Sequence, residues 1–390
     1  MKPETYKIML VAGEASGDAH AAKLVCALRD AAPEFKFEFF GATGAKMREA
    51  GVETVLRADD FSVVGLPEIA LALPMFLRAF KRLKTEAIKR KPDAVVLIDF
   101  PDFNLKLAKA LKKRGLKIIY YISPQLWAWR KYRVKTIAKS VDLLLTILPF
   151  ETDWYARQGI SHAEYVGNPL AGEVKSKLTK AGFCAKYNLD SAQPIIALLA
   201  GSRHKEIALI LPVMLEAAAL MSEKNPPIQF VVALAATRKT SEIEEAKEKI
   251  VNPPKNLIVV QNETWEAVNA SDAAAVASGT ATLETAILGV PMAIVYKTSA
   301  VNYKLLRPLI NVPHFGLINL VARERIAAEL IQEEFTAESL SEELFRLLDS
   351  QVNKAMREKL KEITETLGHG GAARRAAEAI LEELKNCLEI

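Results

Sequence analysis

The chain has 390 residues, of which 50% are hydrophobic and 25% are charged, a composition typical of globular proteins with two or three domains. Its 52 basic and 47 acidic residues leave a formal net charge of +5, so the overall charge does not favour nucleic acid as a partner. The three cysteines and five histidines are scattered, which excludes zinc-type spacing and fits a reduced, cytoplasmic compartment, and we expect neither a signal peptide nor a membrane-spanning segment.

Apolar segments of strand length alternate with longer helical patterns, as in parallel α/β proteins. The strands predicted in the first half lie near Ile8–Ala12, Phe37–Gly41, Ala94–Ile98, Ile118–Ile122, Leu143–Ile147 and Tyr165–Val166. The polar stretch from 169 to 193 is the predicted linker. The strands predicted in the second half lie near Ile195–Ala200, Phe230–Leu234, Leu257–Val260, Ala273–Ala277 and Met292–Val295. From about Ser339 onward only helical patterns follow, and a last helix is predicted over Ala372–Cys387.

Two turns rich in glycine, serine and threonine follow apolar strands, one in each half of the chain. They span Gly13–Asp18 and Ser278–Glu284. Each turn opens a helix, so its unpaired N–H groups and positive helix end suit an anion or a sugar hydroxyl. One such turn per half predicts an α/β fold of two Rossmann-like, doubly wound domains that face each other across a ligand cleft.

Carboxylates in the first half are candidates for proton transfer. Asp99 and Asp102 come directly after a buried strand, whose carboxyl end faces the ligand crevice in a doubly wound sheet. We expect Asp99 to act as a general base and Asp102 to cap the helix that follows. In the glycine-rich turn, Ser16 and Asp18 suit the dipole of the helix, whereas Glu14 precedes the helix and either binds a sugar hydroxyl or merely belongs to the helix start.

The second half carries polar groups suited to a nucleotide diphosphate. Arg203, preceded by Ser202, ends the first strand of this half and either binds phosphate oxygens or pairs with Glu206 as an ordinary surface arginine. The residues of the second turn expected to donate to phosphate oxygens are Ser278, Gly279, Thr280 and Thr282. Glu284, one turn into the helix, is expected to accept hydrogen bonds from ribose hydroxyls.

A dense apolar stretch runs from 63 to 77 and is followed by basic residues. Its main members are Val63, Val64, Leu66, Ile69, Leu73, Phe76 and Leu77, with Arg78 next. A buried helix explains such a stretch, but Pro74 is expected to break a long core helix. Apolar side chains beside cations also suit a patch that lies on a membrane surface. The residues alone leave both interpretations open.

Seven segments, in order along the chain, resemble the bacterial lipid-A-disaccharide synthases. They are Val11–Asp18, Ile98–Asn104, Ser123–Arg130, Leu148–Glu151, Gly201–Arg203, Ala277–Glu284 and Glu329–Glu333. The resemblance implies a glycosyltransferase B-type fold whose C-terminal helix crosses back onto the first domain. The expected divisions are 1–168 for the acceptor and membrane-contact domain, 169–355 for the UDP-sugar domain, and 356–390 for C-terminal helices that pack on the first domain.

The same resemblance implies a metal-independent, cofactor-free, inverting reaction of UDP-2,3-diacylglucosamine with 2,3-diacylglucosamine 1-phosphate (lipid X), giving a β(1→6)-linked disaccharide 1-phosphate and UDP. Asp99 corresponds to the base that acts on the acceptor's 6-hydroxyl, within an essential cluster with Glu14, Ser16 and Asp18. The groups that correspond to the UDP side are Arg203, the second turn, Glu284 and Asn319. The stretch from 63 to 77 corresponds to a patch that contacts the anionic inner face of the cytoplasmic membrane and receives acyl chains. The oligomeric state stays open, with a homodimer as one alternative.

Four positions depart from the pattern of that family. Asn168 stands where histidine is usual, Ala200 and Ile318 where proline is usual, and Arg323 where glycine is usual. The last two change the loop from 315 to 326, so we expect altered loop shape or acyl preference with activity retained. Two rival interpretations are a UDP-N-acetylglucosamine 2-epimerase or other UDP-sugar transferase, and a non-catalytic protein that binds a UDP-lipid.

Overall fold

The computed structural model describes residues 5–58, 69–235, 238–307, 310 and 312–386. The strands are β1 (Thr5–Ala12), β2 (Lys36–Thr43), β3 (Glu53–Arg57), β4 (Ala94–Ile98), β5 (Ile118–Tyr121), β6 (Leu143–Thr146), β7 (Ala163–Tyr165), β8 (Ile195–Leu199), β9 (Gln229–Leu234), β10 (Leu257–Gln261), β11 (Ala273–Ala277), β12 (Met292–Tyr296) and β13 (Glu329–Ile331). The α-helices are α1 (Ala15–Ala31), α2 (Ala45–Glu49), α3 (Ile69–Arg90), α4 (Pro101–Lys112), α5 (Val134–Ser140), α6 (Glu151–Arg157), α7 (Leu170–Glu173), α8 (Lys180–Tyr187), α9 (His204–Lys224), α10 (Ser241–Lys247), α11 (Thr264–Ala270), α12 (Thr280–Ile287), α13 (Ala300–Leu306), α14 (Leu317–Ala322), α15 (Ala337–Leu348), α16 (Ser350–Glu365) and α17 (Ala372–Asn386). Short 3-10 helices lie at Lys131–Arg133 and Gln332–Glu334.

The chain forms two compact units, and the first comprises Met1–Pro169 and His369–Ile390. Its parallel sheet has the order β3-β2-β1-β4-β5-β6-β7. Neighbouring residues of β4 alternate between two apolar cores: Val96 packs in the core that contains α1 and α17, and Val95 packs in the core that contains α3, α4 and α5. A strand buried on both faces must be apolar throughout, which is why β4 reads as a continuous apolar run.

The strand order of the first unit reverses between β1 and β4. In doubly wound sheets a ligand binds outside the carboxyl ends of the strands at such a switch point. The turns that leave β1 and β4 therefore lie at the position where this architecture places a ligand. These turns contain Glu14 and Asp99.

The second unit comprises Leu170–Gly368 and has a parallel sheet of order β10-β9-β8-β11-β12-β13. Its switch point lies between β8 and β11, the strands that precede Arg203 and Ser278. The two parallel sheets confirm the predicted α/β, doubly wound class. The stretch from 169 to 193, predicted as a linker, contains α7 and α8.

The C-terminal helices are divided between the units. The last helix, α17, packs against α1, and Lys117 Nζ lies 2.7 Å from Glu383 Oε1. By contrast, α16 packs against α12, α14 and α15 in the second unit, so residues 356–365 do not join the first unit as the grouping 356–390 anticipated. The reason is that α16 buries its own apolar stripe, including Leu360, before the glycines around 368–371 end that pattern.

Two edge strands, β3 and β13, were not predicted from the sequence. Both β3 and β13 are short and mix polar with apolar residues, so neither shows the continuous apolar run of a buried central strand. Pro74, expected to break a long helix, lies inside α3, which continues through it to Arg90. Among the residues that the structure describes, no helix is both long enough and apolar enough to span a bilayer.

Candidate active site

The backbone at Asp99 is held in an unusual conformation. Asp99 and Phe100 both have left-handed φ angles, +47° and +51°, which residues other than glycine seldom adopt. The buried Tyr120 hydroxyl donates to the Asp99 carbonyl at 2.6 Å, and the buried Asn104 Nδ2 donates to the same oxygen at 2.8 Å. Two buried side chains thus fix a strained turn, and strain of this kind clusters at functional sites. Neither Tyr120 nor Asn104 was singled out from the sequence, where they read as core and helix residues.

The Asp99 carboxyl is poised for proton transfer. Burial, and secondarily the negative charge of Glu14, raises the pKa of Asp99 from its ordinary value of 3.8 to about 6. Near neutral pH such a group is mostly ionised and yet binds a proton more tightly than an exposed aspartate does. This combination suits a general base. The structure therefore brings Glu14 close enough to Asp99 for its charge to raise the pKa of Asp99.

The first glycine-rich turn packs directly on the Asp99 turn. A Cβ at Gly13 would lie 2.3 Å from the Phe100 ring, so only glycine permits this approach. Glu14 and Ser16 are exposed at the start of α1, and the Glu14 side chain makes no capping hydrogen bond there. Their polar groups are accessible for a ligand on the same side as Asp99.

Asp18 lies in the first turn of α1, as the helix-dipole interpretation requires, but its side chain also has partners on another helix. Its buried carboxylate accepts hydrogen bonds from the backbone N–H groups of Gly44 at 2.8 Å, Lys46 at 2.7 Å and Met47 at 3.1 Å. These are the orphan donors at the start of α2. Asp18 therefore ties α1 to the β2–α2 turn, and its oxygens are already occupied.

Asp102 does not cap α4 in the way the sequence suggested, since no side-chain capping bond is made at the start of that helix. Its carboxylate instead pairs with Arg130, at 2.6 Å, and with Arg133. Although burial alone raises its pKa, the hydrogen bond from Arg133 lowers it overall. The surroundings therefore raise the pKa of Asp99 and lower the pKa of Asp102, although the two residues are only three positions apart.

The predicted membrane patch is only partly described. Val63, Val64 and Leu66 lie outside the described residues, as do the side chains of Ile69 and Leu73. Phe76 is half-buried, with its ring centroid 6.3 Å from that of Phe100. Leu77 is 61% exposed and is followed by the exposed Arg78. The described part of this helix therefore presents both an apolar and a cationic side chain to its surroundings.

The candidate nucleotide site of the second unit is a cavity of about 360 Å³ at the carboxyl ends of β8 and β11. Its lining includes Gly201, Ser202, Arg203, Glu206, Thr264, Ser278, Gly279, Thr280 and Glu284. Gly201 has a φ of +102°, and a Cβ there would lie 2.5 Å from Glu206 Oε2. The turn after β8 therefore requires glycine.

Arg203 is 83% exposed and pairs with Glu206, with Nη1 2.9 Å from Oε1. Both expectations are therefore met in part: the arginine pairs with Glu206, and it also lines the cavity. Exposed ion pairs contribute little stability, so the guanidinium can turn toward a ligand at small cost.

In the second glycine-rich turn, some polar groups are accessible to a ligand and others are already hydrogen-bonded within the chain. Gly279, with a φ of +153°, precedes α12, and the exposed Thr280 begins it. The Ser278 hydroxyl donates to the Phe315 carbonyl at 2.7 Å. Thr282, predicted to bind phosphate, is fully buried, and its hydroxyl donates to the Gly279 carbonyl at 2.8 Å. Thr282 thus holds the turn, and backbone N–H groups are left to meet an anion.

Glu284 lies where the sequence placed it, on α12 at the cavity wall. The Trp265 indole Nε1 donates to its Oε1 at 3.2 Å, and burial raises its pKa. One carboxylate oxygen is thereby fixed and the other is left to accept from a ligand. Trp265, which sequence analysis missed, is thus the group that orients Glu284.

Asn319 is fully buried and makes its hydrogen bonds within the chain. Its Oδ1 accepts from Ala327 N at 3.0 Å, and its Nδ2 donates to Glu329 Oε1 at 2.9 Å. Glu329 also accepts from Phe315 N at 3.0 Å and Gly316 N at 2.8 Å. Together, Asn319 and Glu329 fix the backbone at Phe315, whose carbonyl accepts the hydrogen bond from the Ser278 hydroxyl. Asn319 therefore acts on the candidate nucleotide site only indirectly, through the segment that contacts Ser278. The sequence did not identify Glu329 as the partner of Asn319.

The structure describes all four positions that depart from the family pattern. Asn168 is buried and donates to the Ile147 carbonyl at 3.2 Å. Arg323 follows α14 with a φ of +58°, the conformation that the usual glycine accepts freely. Ala200 and Ile318 are buried apolar residues. No group of three or more metal-ligating side chains occurs among the residues that the structure describes.

Comparison with known proteins identifies the same family as the sequence motifs, over nearly the whole chain. A family model described as lipid-A-disaccharide synthetase matches residues 8–384. The lipid-A-disaccharide synthase of Trichlorobacter lovleyi is 43% identical over 376 residues, which cover 96% of this chain and 97% of that protein. The enzyme of the same name from Myxococcus xanthus is 44% identical over 379 residues, which cover 97% of each.

Solved structures support the fold. The UDP-N-acetylglucosamine 2-epimerase from Neisseria meningitidis bound to UDP-GlcNAc has a TM-score of 0.64 at 13% identity, covering 97% of this chain and 99% of that one. The calicheamicin glycosyltransferase has a TM-score of 0.60 at 15% identity, covering 99% of each chain. At such low identity the likeness concerns the fold alone, and it confirms the predicted glycosyltransferase B-type fold.

Proposed function

The chain belongs to the lipid-A-disaccharide synthase family, and from that premise we propose which of its residues perform the reaction. The family activity is a glycosyl transfer in lipid A biosynthesis, with a UDP-sugar as donor and a lipid as acceptor. The donor proposed here is UDP-2,3-diacylglucosamine and the acceptor is 2,3-diacylglucosamine 1-phosphate. The observation that carries the assignment of roles is the strained, half-buried Asp99 turn beside Glu14.

Asp99 is the general base of this proposal. The acceptor's 6-hydroxyl oxygen attacks the donor's anomeric carbon, its proton passes to the Asp99 carboxylate, and the bond from the anomeric carbon to the UDP oxygen breaks with inversion. A carboxylate whose pKa is about 6 is ionised enough at neutral pH to act and basic enough to take the proton as the oxygen bonds to carbon. Glu14 and Ser16, exposed on the adjoining turn, bind acceptor hydroxyls and orient the attacking oxygen.

The leaving UDP is bound by the second unit. The backbone N–H groups at the start of α12 and the Arg203 guanidinium meet the diphosphate, which gains negative charge as the glycosidic bond breaks. Glu284, oriented by Trp265, accepts from the ribose hydroxyls. Thr282 and Asn319 act by holding the turn and its supporting segment, since their polar atoms are already bonded within the chain.

The lipid substrates require contact with a bilayer. Each buried methylene contributes about 0.8 kcal/mol, so a chain of a dozen carbons resists leaving the membrane by roughly 10 kcal/mol. An enzyme acting on several such chains must therefore work at the surface of the membrane. The exposed Leu77 and the cationic residues that follow it on α3 support peripheral binding to the anionic inner face of the cytoplasmic membrane.

The direct test is incubation of the purified chain with both diacylated sugars, followed by mass spectrometry for the disaccharide 1-phosphate. Formation of that product and of UDP is expected from the parent and not from the Asp99→Asn variant. UDP binding by the variant, measured by calorimetry, is expected to be unchanged because Asp99 belongs to the other unit. Epimerised UDP-sugar, or UDP binding without turnover in the parent, would overturn the proposal.

A further inference from the structure

Two large aromatic side chains are exposed on one short segment of the first unit. Trp129 is 41% exposed and Tyr132 is 70% exposed. They lie between β5 and α5 and flank Arg130 and Lys131. Trp129 and Arg130 end the motif Ser123–Arg130 shared with the family, whereas Lys131 and Tyr132 lie outside it. Neither exposed aromatic ring has a role in the proposed reaction.

The exposure does not result from a loose loop. The Arg130 guanidinium lies 4.0 Å above the Trp129 ring and also pairs with Asp102 at 2.6 Å. Two residues earlier, the buried Trp127 donates from Nε1 to the buried Glu151 at 3.0 Å. The segment is thus tied down on both sides of Trp129, and its apolar rings are held outward in spite of the hydrophobic effect.

The segment is connected to the exposed part of α3 through the start of α4. Asp102, which pairs with Arg130, is followed by Phe103, whose ring centroid lies 6.4 Å from that of Phe76. The next residue on α3 is the exposed Leu77. Arg130, which lies beside Trp129, and Phe76, which precedes Leu77, therefore both contact the first turn of α4, and that helix begins two residues after Asp99.

We infer that the segment from Trp129 to Tyr132 is a second bilayer-contact element, which inserts its two rings at the headgroup level of an anionic membrane. Tryptophan and tyrosine favour that level because one end of each ring system is apolar and the other carries a hydrogen-bonding group. The exposed Lys131 beside them suits anionic headgroups. Tryptophan, tyrosine and arginine also occur at protein interfaces, where lysine is depleted. A lipid surface is the favoured occupant because the exposed Lys131 lies within the segment and because the exposed Leu77 and Arg78 of α3, already assigned to the bilayer, lie on the same unit.

This inference rests on the proposed action at a membrane and extends it. A second contact, separated from the first, restricts the rotation of the first unit on the membrane, whereas a single helix leaves the protein free to rotate about its attachment. Because residues next to both contacts touch the first turn of α4, which begins two residues after Asp99, we expect bilayer binding to bring Asp99 close to the layer in which the lipid acceptor resides. The segment thereby orients the first unit in addition to increasing its affinity for the membrane.

The test is flotation of the full chain with vesicles of phosphatidylethanolamine and phosphatidylglycerol in a 3:1 ratio. The double variant Trp129→Ser, Tyr132→Ser is expected to bind about tenfold more weakly than the parent, since two partly exposed rings lose their apolar burial. The matched control is Val251→Ser, which removes a 94% exposed apolar side chain from the second unit and is expected to bind like the parent. Activity of the double variant on detergent-dispersed substrates is expected to remain within about twofold, because only the bilayer contact is lost.

The flotation results for parent and double variant distinguish failure of the second contact element from failure of the proposed action at a membrane. If the parent binds vesicles and the double variant binds equally well, the second contact element is refuted while action at the membrane stands. If the parent does not bind vesicles, both are refuted. A second measurement covers misfolding of the variant: brominated lipids should quench parent tryptophan fluorescence, and Trp129→Phe should remove most of that quenching. Equal quenching in parent and Trp129→Phe would overturn the inference.

Discussion

Replacement of Asp99 by asparagine is expected to raise stability while abolishing activity. The folded-state pKa of about 6 exceeds the ordinary value of 3.8 by about 2 pH units, and each unit corresponds to 1.36 kcal/mol. Holding the ionised carboxylate in this setting therefore destabilises the folded state by about 3 kcal/mol at pH 7.5. Asparagine has nearly the same shape without the charge, so the free energy of unfolding should increase by up to that amount.

The sign of the pH dependence makes this prediction specific. A raised carboxyl pKa means that the folded state binds the proton more tightly than the unfolded state does. The difference in unfolding free energy between Asp99→Asn and parent should therefore be largest above pH 6 and should shrink toward zero as the pH falls to about 4. Urea denaturation at several pH values measures it, with hydrogen exchange at β4 identifying the transition of the first unit.

Asp102→Asn is the matched control, since Asp102 lies on the same turn and its pKa is lowered overall by Arg133. It should lose stability at pH 7.5, opposite in sign to Asp99→Asn. In the parent, kcat/KM should fall as the pH drops below about 6, because the base becomes protonated. A stability difference for Asp99→Asn that is absent or independent of pH would refute the burial argument, and turnover near the parent rate would refute the role of base.

Four further substitutions test other parts of the molecule. Arg203→Ala should weaken UDP binding by about tenfold in calorimetry with no measurable loss of stability, because its exposed ion pair contributes little; unchanged affinity would remove its phosphate role. Glu329→Gln replaces an acceptor of three N–H groups and should raise the KM for the donor by about tenfold with kcat nearly kept; a loss confined to kcat would contradict its supporting position. Arg323→Gly should raise the free energy of unfolding by about 0.5–1 kcal/mol in urea titrations, because glycine avoids the roughly 1–2 kcal/mol cost of the left-handed φ and loses only part of that gain to the entropy of the unfolded chain; a decrease would show that contacts of the arginine side chain outweigh this gain. Leu77→Ser should reduce vesicle flotation severalfold while the circular dichroism spectrum stays that of the parent; unfolding would favour a core role for this face.

The turns of the two candidate sites could be located from sequence patterns because the information that specifies them is local. Buried central strands such as β4 and β11 must be apolar on both faces, so the polar or small residues just after them, Asp99 and Gly279, stand out in the sequence. The roles of Asp18 and Thr282 were less accessible. Each is a polar residue in such a turn, and only its partners show that its polar atoms are already occupied.

The amino-acid sequence by itself determined the two doubly wound halves, their switch-point turns and the family, because strand burial and turn geometry act over a few neighbouring residues. Only the tertiary structure decided which polar groups remain free for a ligand, since hydrogen bonds such as Asn319 to Glu329 and Tyr120 to Asp99 join residues 10 and 21 positions apart that lie on different elements or turns. It also decided the pKa of Asp99, because desolvation depends on every element packed around a group and no local pattern of residues encodes that sum.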